Sequence, residues 1–427
     1  MWRFLYTLLL RVALPLLLLR LWWRGRREPG YRGHLAERLG EYRIAPRREL
    51  LWLHAVSVGE VRASVPLVRA LQREFEGHDV LLTCMTAAGR EAAQHAYGDS
   101  VLLAYLPYDL PGAAQRFLER FRPRLGVLME TEVWPNLLAA CRARGVPVVL
   151  ANARMSEKSA RRYARWSSIT RPAFAGIAAV CAQSAADAER LRALGAARVV
   201  LTGNLKFDVA PDALQVAAGR ALKAALGARP VVLLASTREG EEAMLLEALA
   251  PAGGAGLLAI VPRHPRRFDE VARLLAHRGI ATARRSRGEL PGPDHAAYLG
   301  DTMGEMAFYY ALADVALIGG SFAPLGGQNL IEACAAGVPV VVGPYMFNFT
   351  EATRLALDAG AALQADGAHE AARAALELLA DSARRARMGE AGIALCAAHR
   401  GATERHLAAC REVLGGAGVG RVSPPRH

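Results

Sequence analysis

The sequence lacks the short signatures of several common enzyme classes. It contains no G-x-x-x-x-G-K-[ST] segment, which excludes a P-loop nucleotide site. It contains neither D-x-D nor H-E-x-x-H, so nothing in it supports metal-dependent catalysis. The six cysteines are scattered and never spaced as C-x-x-C, which indicates neither a zinc site nor a disulfide framework. We therefore expect no catalytic metal and no cofactor.

Lysine is scarce, and the positive charge is unevenly distributed. Only three of the 53 basic residues are lysines. The net charge is +13, and residues 1–48 carry eleven arginines against three glutamates, a net charge of +8. A nucleic-acid-binding protein usually spreads its basic residues over a folded face. The concentration at the N-terminus therefore disfavours nucleic acid as a partner, and the sequence gives no indication of a protein partner.

The N-terminal charge surrounds an apolar run from Phe4 to Trp23. Twenty helical residues would extend about 30 Å, which is close to the thickness of a bilayer core. Trp2, Trp22 and Trp23 would lie at the membrane interfaces, and the arginines that follow favour a cytoplasmic location for the rest of the chain. We expect residues 1–27 to form a membrane anchor with a basic flank.

Two residues in this run disfavour a full transmembrane span. Arg11 lies near its middle, where a charged side chain costs about 2.5–3.5 kcal/mol on insertion scales, and Pro15 would kink the helix. A shallow, monotopic anchor is therefore an alternative to a span, and a buried core helix is a third interpretation. A cleaved signal peptide is disfavoured because no small-x-small site follows the run. The sequence leaves the depth of insertion open.

The rest of the sequence predicts an α/β fold with two domains. The chain has 427 residues, of which 52% are hydrophobic, so it can bury more than one core. Short, continuously apolar, β-rich runs alternate with helical patterns, which is typical of parallel sheets covered on both faces. The predicted strands are Leu51–Val56, Val80–Thr83, Val101–Leu106, Leu125–Met129, Val146–Ala151, Ile177–Cys181, Val199–Thr202, Val231–Ala235, Leu257–Val261, Val315–Ile318 and Val338–Val342.

The strand rhythm restarts after Gly203, which predicts two successive doubly wound, Rossmann-like domains. We place the N-terminal domain at 28–203, a linker at 204–212, and the C-terminal domain, with its C-terminal helices, at 213–427. Two such domains facing each other would form a cleft. Ligands in open α/β sheets bind beyond the carboxyl ends of the strands, so residues directly after strands are the candidates for a site.

Glu60 is the first of these candidates. It follows a predicted strand in H-A-V-S-V-G-E and would lie at a helix N-terminus. A carboxylate in that place can act as a general base for a hydroxyl, and Ser57 and Gly59 would line the acceptor side, where the glycine lets a substrate approach. A glutamate that only complements the helix dipole is an equally good interpretation.

Glu130 and Glu132 follow another buried strand, in M-E-T-E-V-W-P-N. Acids at a strand end can bind sugar hydroxyls or stabilise developing charge, although Glu132 fits a helix-start residue better. Lys206, in G-N-L-K-F-D, lies at the domain junction of a chain in which arginine is the usual cation. A compact ammonium group can be needed there, and a solvated linker lysine is the alternative.

The second half of the chain carries anion-binding and hydroxyl-binding elements at successive strand ends. Exposed N–H groups at strand-to-helix turns favour phosphate or carboxylate, and arginine strengthens that preference. An asparagine and a glutamate three residues apart on a helix can hold ribose hydroxyls. Together these elements predict a nucleotide-sugar site, whose candidate residues are Ser236, Thr237, Arg238, Arg263, His264, Gly320, Ser321, Asn329, Leu330, Ile331 and Glu332.

Long strings over essentially the whole chain resemble the 3-deoxy-D-manno-octulosonic acid (Kdo) transferase family. They are H-A-V-S-V-G-E, Y-L-P-Y-D-L-P, M-E-T-E-V-W-P-N, N-A-R-M-S-E-K-S, G-N-L-K-F-D, P-R-H-P, M-G-E and G-G-S-F. The resemblance implies a GT-B fold and metal-free transfer of Kdo, with inversion, from CMP-Kdo to the 6'-hydroxyl of a lipid A precursor (lipid IVA). It also implies the cytoplasmic face of the inner membrane, and lipopolysaccharide biosynthesis as the process.

The resemblance assigns roles to the candidates. It implies Glu60 as the general base, with Glu130 and Lys206 stabilising the transition state. It implies that Arg263, His264, the segment Met303, Gly304 and Glu305, and the pair Asn329 and Glu332 bind CMP.

The sequence departs from the family pattern at three places. Arg238 and Tyr345 each stand where a histidine is usual, and C-M-T-A from Cys84 replaces a more threonine-rich run. Arg238 preserves anion binding, whereas Tyr345 receives no catalytic role. Two other functions stay open from the sequence: another GT-B enzyme that uses a UDP-sugar, and an inactive, membrane-anchored protein that binds a nucleotide sugar.

Overall fold

The computed structural model describes residues 2–26, 28–250 and 256–419. The chain divides into two compact units, Met1–Val209 together with Arg400–His427, and Ala210–His399. Arg27 of the predicted basic flank and residues 251–255 and 420–427 of the predicted C-terminal domain lie outside the described residues. Each unit is built around its own parallel β-sheet.

The sheet of the first unit has seven parallel strands in the order β3-β2-β1-β4-β5-β6-β7. The strands are β1 Glu49–His54, β2 His78–Cys84, β3 Leu102–Tyr105, β4 Leu125–Met129, β5 Val148–Ala153, β6 Ala179–Ala182 and β7 Val199–Leu201. The helices of this part are α1 Trp2–Arg24, α2 Val58–Glu74, α3 Ala87–Tyr97, α4 Pro111–Phe121, α5 Pro135–Ala143, α6 Glu157–Arg165, α7 Ser167–Ala175 and α8 Ala185–Ala193.

Continuous hydrophobicity in these strands has a structural reason, because both faces of the sheet are buried. In β1, Leu51 and Leu53 belong to one core cluster and Trp52 belongs to the other. Successive side chains of a strand point to opposite faces, so a strand between two helical layers needs apolar residues at every position. The predicted doubly wound architecture is confirmed here.

The second unit repeats the design in the order β10-β11-β9-β8-β12-β13-β14, again with all strands parallel. Its strands are β8 Val231–Thr237, β9 Leu257–Pro262, β10 Thr282–Arg284, β11 Ala297–Leu299, β12 Val315–Ile318, β13 Val340–Val342 and β14 Ala362–Gln364. Its helices are α9 Ala213–Ala225, α10 Glu241–Leu249, α11 Phe268–His277, α12 Met306–Leu312, α13 Ile331–Ala335, α14 Thr350–Asp358, α15 Ala368–Ala380 and α16 Ser382–Ala398.

Strand order fixes where each sheet can bind a ligand. In the first unit the chain builds outward from β1 on one side and from β4 on the other, so the connections after these two neighbouring strands diverge. The corresponding neighbours in the second unit are β8 and β12. Such a switch point leaves a crevice at the carboxyl ends of the strands. The loops after β1, β4, β8 and β12 are therefore the places where functional side chains meet.

The last helix, α17 Ala402–Val419, differs from the sequence prediction. We placed the whole of 213–427 in the C-terminal domain, but α17 belongs to the first unit. Leu407, Cys410 and Val413 enter a core cluster of that unit. The Asp208 carboxylate accepts hydrogen bonds from the Gly401 and Thr403 backbone N–H groups at the start of the helix. An apolar helical pattern shows that a helix is packed but does not show on which sheet it packs.

Helix α1 is long and apolar enough to cross a membrane, with a mean hydropathy of 1.9. One of its faces packs on α5 and α7. Residues of that face recur every three or four positions and are buried or half-buried: Thr7, Leu10, Leu14, Leu17 and Leu21. The opposite face is apolar and exposed, with Leu9, Val12 and Leu16 each about 70% accessible. The helix therefore has one face on the protein and one face without a partner in the described chain.

Three strands escaped the sequence prediction, namely β10, β11 and β14. Each has only three residues. The equally short β7 and β13 are recognisable because they lie in valine-rich runs, whereas β10, β11 and β14 contain neither valine nor isoleucine and cannot be told from loops by pattern alone. The other eleven strands lie at predicted positions, with bounds that differ by a few residues.

Candidate functional site

Glu60 lies at the switch point of the first unit, in the first turn of α2 directly after β1. Its carboxylate accepts hydrogen bonds from the Val56 backbone N–H at 2.8 Å and from the Ser57 hydroxyl at 3.1 Å. Both donors belong to the loop between β1 and α2, so the loop fixes the orientation of the carboxylate. Gly59 faces open space, since a Cβ atom there would meet only the Ser57 hydroxyl, at 3.9 Å.

Glu130 lies directly after β4, the strand that pairs with β1. Its backbone φ is +58°, in the left-handed region that non-glycine residues adopt at a cost. The backbone N–H still donates to the Ala151 carbonyl at 2.8 Å, so the neighbouring strand holds this conformation in place. Strained residues of this kind cluster at functional sites.

Lys206 joins the site from a distant part of the chain. Its Nζ donates to Oε1 of Glu130 at 3.1 Å, and both side chains are 17% exposed. Lys206 lies in a short 3₁₀ turn, Leu205–Asp208, which Asn204 caps by accepting the Lys206 backbone N–H. The sequence left a solvated linker lysine open; the structure instead shows an ion pair that is largely shielded from solvent.

The two glutamates titrate differently because their surroundings differ. Burial, together with the nearby Glu130 charge, raises the pKa of Glu60 to about 8. Burial also acts on Glu130, but Lys206 and Arg154 outweigh it and hold the pKa of Glu130 below its usual range. Glu130 is therefore the fixed anion of the pair, and Glu60 is the carboxyl that exchanges a proton near neutral pH.

Glu132 belongs to the same loop as Glu130 and is partly buried. Its Oε2 accepts a hydrogen bond from the Trp134 indole N–H at 3.0 Å. Burial raises its pKa, and the Glu130 charge contributes in the same direction. We expected a simple helix-start residue, but α5 begins only at Pro135, and Glu132 instead adds a third carboxyl near Glu60 and Glu130.

The loop that carries Lys206 is held by buried polar contacts that the sequence does not reveal. The Asn152 side chain accepts the Leu205 backbone N–H at 3.0 Å. Asn152 has a φ of +52°, and its own N–H donates to Nε2 of His406 in α17 at 2.8 Å. Burial lowers the pKa of His406 to about 4, so the imidazole is neutral and Nε2 can accept. Helix α17 thus supports the Lys206 loop from behind.

In the second unit, one buried carboxylate joins the two loops of the switch point. Glu241, at the start of α10, accepts the Arg238 N–H at 2.8 Å and the Gly320 N–H at 2.6 Å through Oε2. Its Oε1 accepts the Phe322 N–H at 3.0 Å. The loops after β8 and β12 are therefore locked together. Glu241 could not be identified from the sequence, because its role depends on a contact with Gly320, 79 residues away.

Three basic side chains of this unit lie in and around the loop that follows β9. The Arg263 guanidinium donates to the Gln328 side chain at 3.2 Å, and its backbone N–H donates to the Thr237 carbonyl at 2.9 Å. His264 is half-buried; burial lowers its pKa, and Arg263 and Arg238 lower it further. The structure thus brings Arg238, Arg263 and His264 together, as expected for a site that takes an anion.

The two residues that we predicted to hold ribose hydroxyls are in contact. Nδ2 of Asn329 donates to Oε1 of Glu332 at 2.9 Å at the start of α13. Glu305 has a partner within the protein, because Arg285 donates to both of its carboxylate oxygens and lowers its pKa. Met303 is exposed and Gly304 has a φ of +89°, so this turn is accessible and needs its glycine.

Several predicted binding residues keep their side chains out of reach of a ligand. The Thr237 hydroxyl donates to Glu242, which also forms a buried bidentate pair with Arg267. The Ser321 hydroxyl donates to the Ile318 carbonyl and accepts the Gly343 N–H. Leu330 and Ile331 are buried in the core. Only their main-chain groups could meet a ligand, so these four side chains have structural roles. Ser236, with a φ of +57°, lies at an irregularity near the end of β8.

Two parallel seven-stranded sheets, each with polar residues at its switch point, define the fold class as GT-B-like. A solved structure with this fold, Anabaena HepE in complex with UDP, has a TM-score of 0.59 and 14% identity over 86% of this chain and 100% of that chain. The likeness shows the fold.

The family follows from sequence comparison. Residues 33–209 match the family described as 3-deoxy-D-manno-octulosonic-acid transferase (kdotransferase), and residues 282–394 match glycosyl transferases group 1. A Kdo transferase of Bordetella pertussis is 51% identical over 97% of this chain and 100% of its own length. One of Haemophilus influenzae is 38% identical over 95% and 97%. The chain belongs to the Kdo transferase family and is a glycosyltransferase.

The raised pKa of Glu60 predicts a pH-dependent effect on stability. A carboxyl whose pKa is higher in the folded than in the unfolded state stabilises the fold at low pH, and this stability is lost as the pH rises toward 8. Each unit of the shift costs about 1.4 kcal/mol once the group is ionised. Glu60→Gln should therefore unfold at a higher temperature than wild type at pH 9, with a smaller difference at pH 6. An equal difference at both pH values would contradict the assignment.

Proposed function

We propose that this enzyme transfers Kdo from CMP-Kdo to the 6'-hydroxyl of a lipid A precursor (lipid IVA), with inversion at the anomeric carbon. Membership of the Kdo transferase family supports the transferred sugar. The observation that carries the mechanism is the pairing of Glu60, whose pKa is about 8, with the fixed anion Glu130. A base is most effective when its pKa lies near the working pH.

In this mechanism the Glu60 carboxylate takes the proton from the acceptor hydroxyl while the hydroxyl oxygen forms a bond to the anomeric carbon of Kdo. The bond from that carbon to the phosphate oxygen breaks, and CMP leaves. Glycosyl transfer develops positive charge on the sugar and negative charge on the leaving group. Glu130 and Lys206 present one charge of each sign, held in a fixed arrangement, which is the requirement for electrostatic stabilisation of a transition state.

We assign the donor nucleotide to the second unit. Arg238 and Arg263 would compensate the phosphate and the sugar carboxylate, His264 would donate a hydrogen bond to them, and Asn329 with Glu332 would hold the ribose hydroxyls. The two arginines supply the positive charge that a divalent cation could otherwise supply, so we propose that transfer needs neither a catalytic metal nor a cofactor.

A Glu60→Gln enzyme should lose transfer by about 10²–10⁴-fold, because the hydroxyl no longer has a base, while its affinity for CMP stays at the wild-type value. Glu157→Gln is the matched control, since Glu157 also lies in a first helical turn of this unit but is exposed. Radiolabelled transfer to a lipid A precursor measures the first quantity and calorimetry the second. A Glu60→Gln rate within about threefold of wild type would rule out the base.

Arg263→Ala should weaken the binding of CMP and CMP-Kdo by about 1.5–3 kcal/mol, the value of a hydrogen bond to a charged group. Arg266→Ala is the control, because Arg266 lies three residues on, has a side chain 75% exposed and pairs with Glu239. Calorimetry with CMP, CMP-Kdo and UMP also tests the UDP-sugar alternative. Tighter binding of UMP than of CMP, or equal affinities in wild type and Arg263→Ala, would overturn the donor assignment.

We further propose that α1 lies in the plane of the membrane, at the cytoplasmic face of the inner membrane. Its exposed apolar face, centred on Leu9, Val12 and Leu16, would enter the lipid, while the opposite face stays on the protein. This orientation is supported by the hydrogen bonds from Tyr6 to Asp109 and from Asn136 to Thr7, which would lie at bilayer depth in a span. Arg11 could then reach the headgroups.

Membrane attachment should therefore resist a high-salt wash, because burial of apolar surface is not screened. Leu9→Ser with Leu16→Ser should make the protein salt-extractable.

A short peptide tag added before Met1 should be cleaved by protease from the cytoplasmic side, since an in-plane helix keeps both ends there. A tag that is protected on that side would show a transmembrane span instead.

A further inference from the structure

Two of the strings that carry the family resemblance meet at Asp109 in the first unit. Asp109 comes from Y-L-P-Y-D-L-P and is 3% exposed. Its Oδ2 accepts the Asn136 N–H at 3.0 Å and its Oδ1 accepts the Leu137 N–H at 2.8 Å. Asp109 thus caps α5 from a remote segment, as an N-cap aspartate would do locally.

This cap determines where the loop Glu130–Trp134 ends. The loop carries Glu130 and Glu132 and leads directly into α5, whose first residue is Pro135. One end of the loop is held by the pairing of β4 with β5. The other end is held by the capped N-terminus of α5. A shift of that terminus would move the carboxylates on the loop.

Helix α1 completes the cap. The Tyr6 hydroxyl donates to Oδ2 of Asp109 at 3.0 Å. Nδ2 of Asn136 donates both to the Thr7 hydroxyl oxygen at 3.0 Å and to the Asp109 carbonyl at 2.7 Å. The face of α1 that points away from the exposed apolar stripe therefore contributes two side chains to the start of α5.

Asp109 depends on these partners because it is a buried carboxylate. Burial raises its pKa, and the Asn136 and Leu137 N–H groups, Tyr6 and Arg3 act against that rise. Two of these four partners belong to α1. A buried charge that loses a hydrogen-bond donor is strongly disfavoured and takes up a proton instead. A protonated Asp109 would be a weaker cap for α5.

We propose that α1 is a positioning element for the loop Glu130–Trp134 in addition to its role at the membrane, and that Tyr6 and Thr7 are the residues through which it acts. The roles of Glu60 and Glu130 in this inference rest on the proposed function. The link from α1 to the loop itself does not, because it consists of hydrogen bonds within the first unit.

The test uses the full chain with Tyr6→Phe and Thr7→Val, singly and together. Tyr42→Phe is the matched control, since it removes a tyrosine hydroxyl of the same unit whose hydrogen bond goes to the Tyr105 carbonyl and not to Asp109. Three quantities are measured: amide hydrogen exchange in peptides that cover residues 130–140, retention on membranes after a high-salt wash, and the pH dependence of kcat.

We expect amide exchange at 130–140 to become about tenfold faster in the double variant, as for the loss of a hydrogen bond to a buried charge. Membrane retention should equal that of wild type, because the exposed face of α1 is unchanged. kcat should fall, and its acid limb should shift to lower pH, since a displaced Glu130 no longer raises the pKa of Glu60. A purely anchoring or structural α1 would leave this limb in place.

Unchanged exchange at 130–140 in the double variant would overturn the proposal, whatever the activity. So would faster exchange of the same size in Tyr42→Phe, because the effect would then not depend on α1. If the wild-type enzyme transfers no Kdo, the proposed function fails, but the exchange measurement still decides whether α1 holds the loop.

Discussion

The arrangement of the first unit depends on keeping two carboxylates, Glu60 and Glu130, close together and out of water. Two buried anions repel each other, so one must be neutralised or paired. Lys206 pairs with Glu130 at 3.1 Å, whereas burial, together with the charge of Glu130, raises the pKa of Glu60. The ion pair thus fixes which carboxyl is the anion and which exchanges a proton. Without it, neither glutamate would have a defined role.

A second type of interaction, between a carboxylate and backbone N–H groups of another segment, supports this arrangement and recurs in both units. A carboxylate from one segment accepts backbone N–H groups of another and so locks a loop at a strand end. Asp109 does this for α5, Asp208 for α17, and Glu241 for the loops after β8 and β12. Loops at strand ends have unpaired backbone donors, and a charged acceptor holds them more strongly than a neutral one. The sites are therefore rigid although they are built on loops.

The sequence predicted the sheet architecture, and it predicted the positions of the candidate site residues for the same reason. Parallel strands buried on both faces must be apolar at every position, and this property is visible in runs such as Leu125–Met129. Residues that follow such strands must then lie at the carboxyl edge of a sheet. Glu60, Glu130, Arg263 and Asn329 have side chains at these edges, as predicted, although their roles stay predictions. The side chains of Thr237, Ser321, Leu330 and Ile331 are buried instead, because a sequence motif does not show which of its side chains point into the core.

What the sequence by itself determined is local: strand and helix positions, the apolar N-terminal helix, and the chemical type of the groups at each strand end. What only the tertiary structure decided is which distant groups meet. Asn152 and His406 are separated by 254 residues, and Tyr6 and Asp109 by 103. The same holds for α17, whose apolar face fits the first unit and not the second. Periodicity reports that a side chain is buried, whereas its partner is set by strand order and by the path of the chain between the two segments.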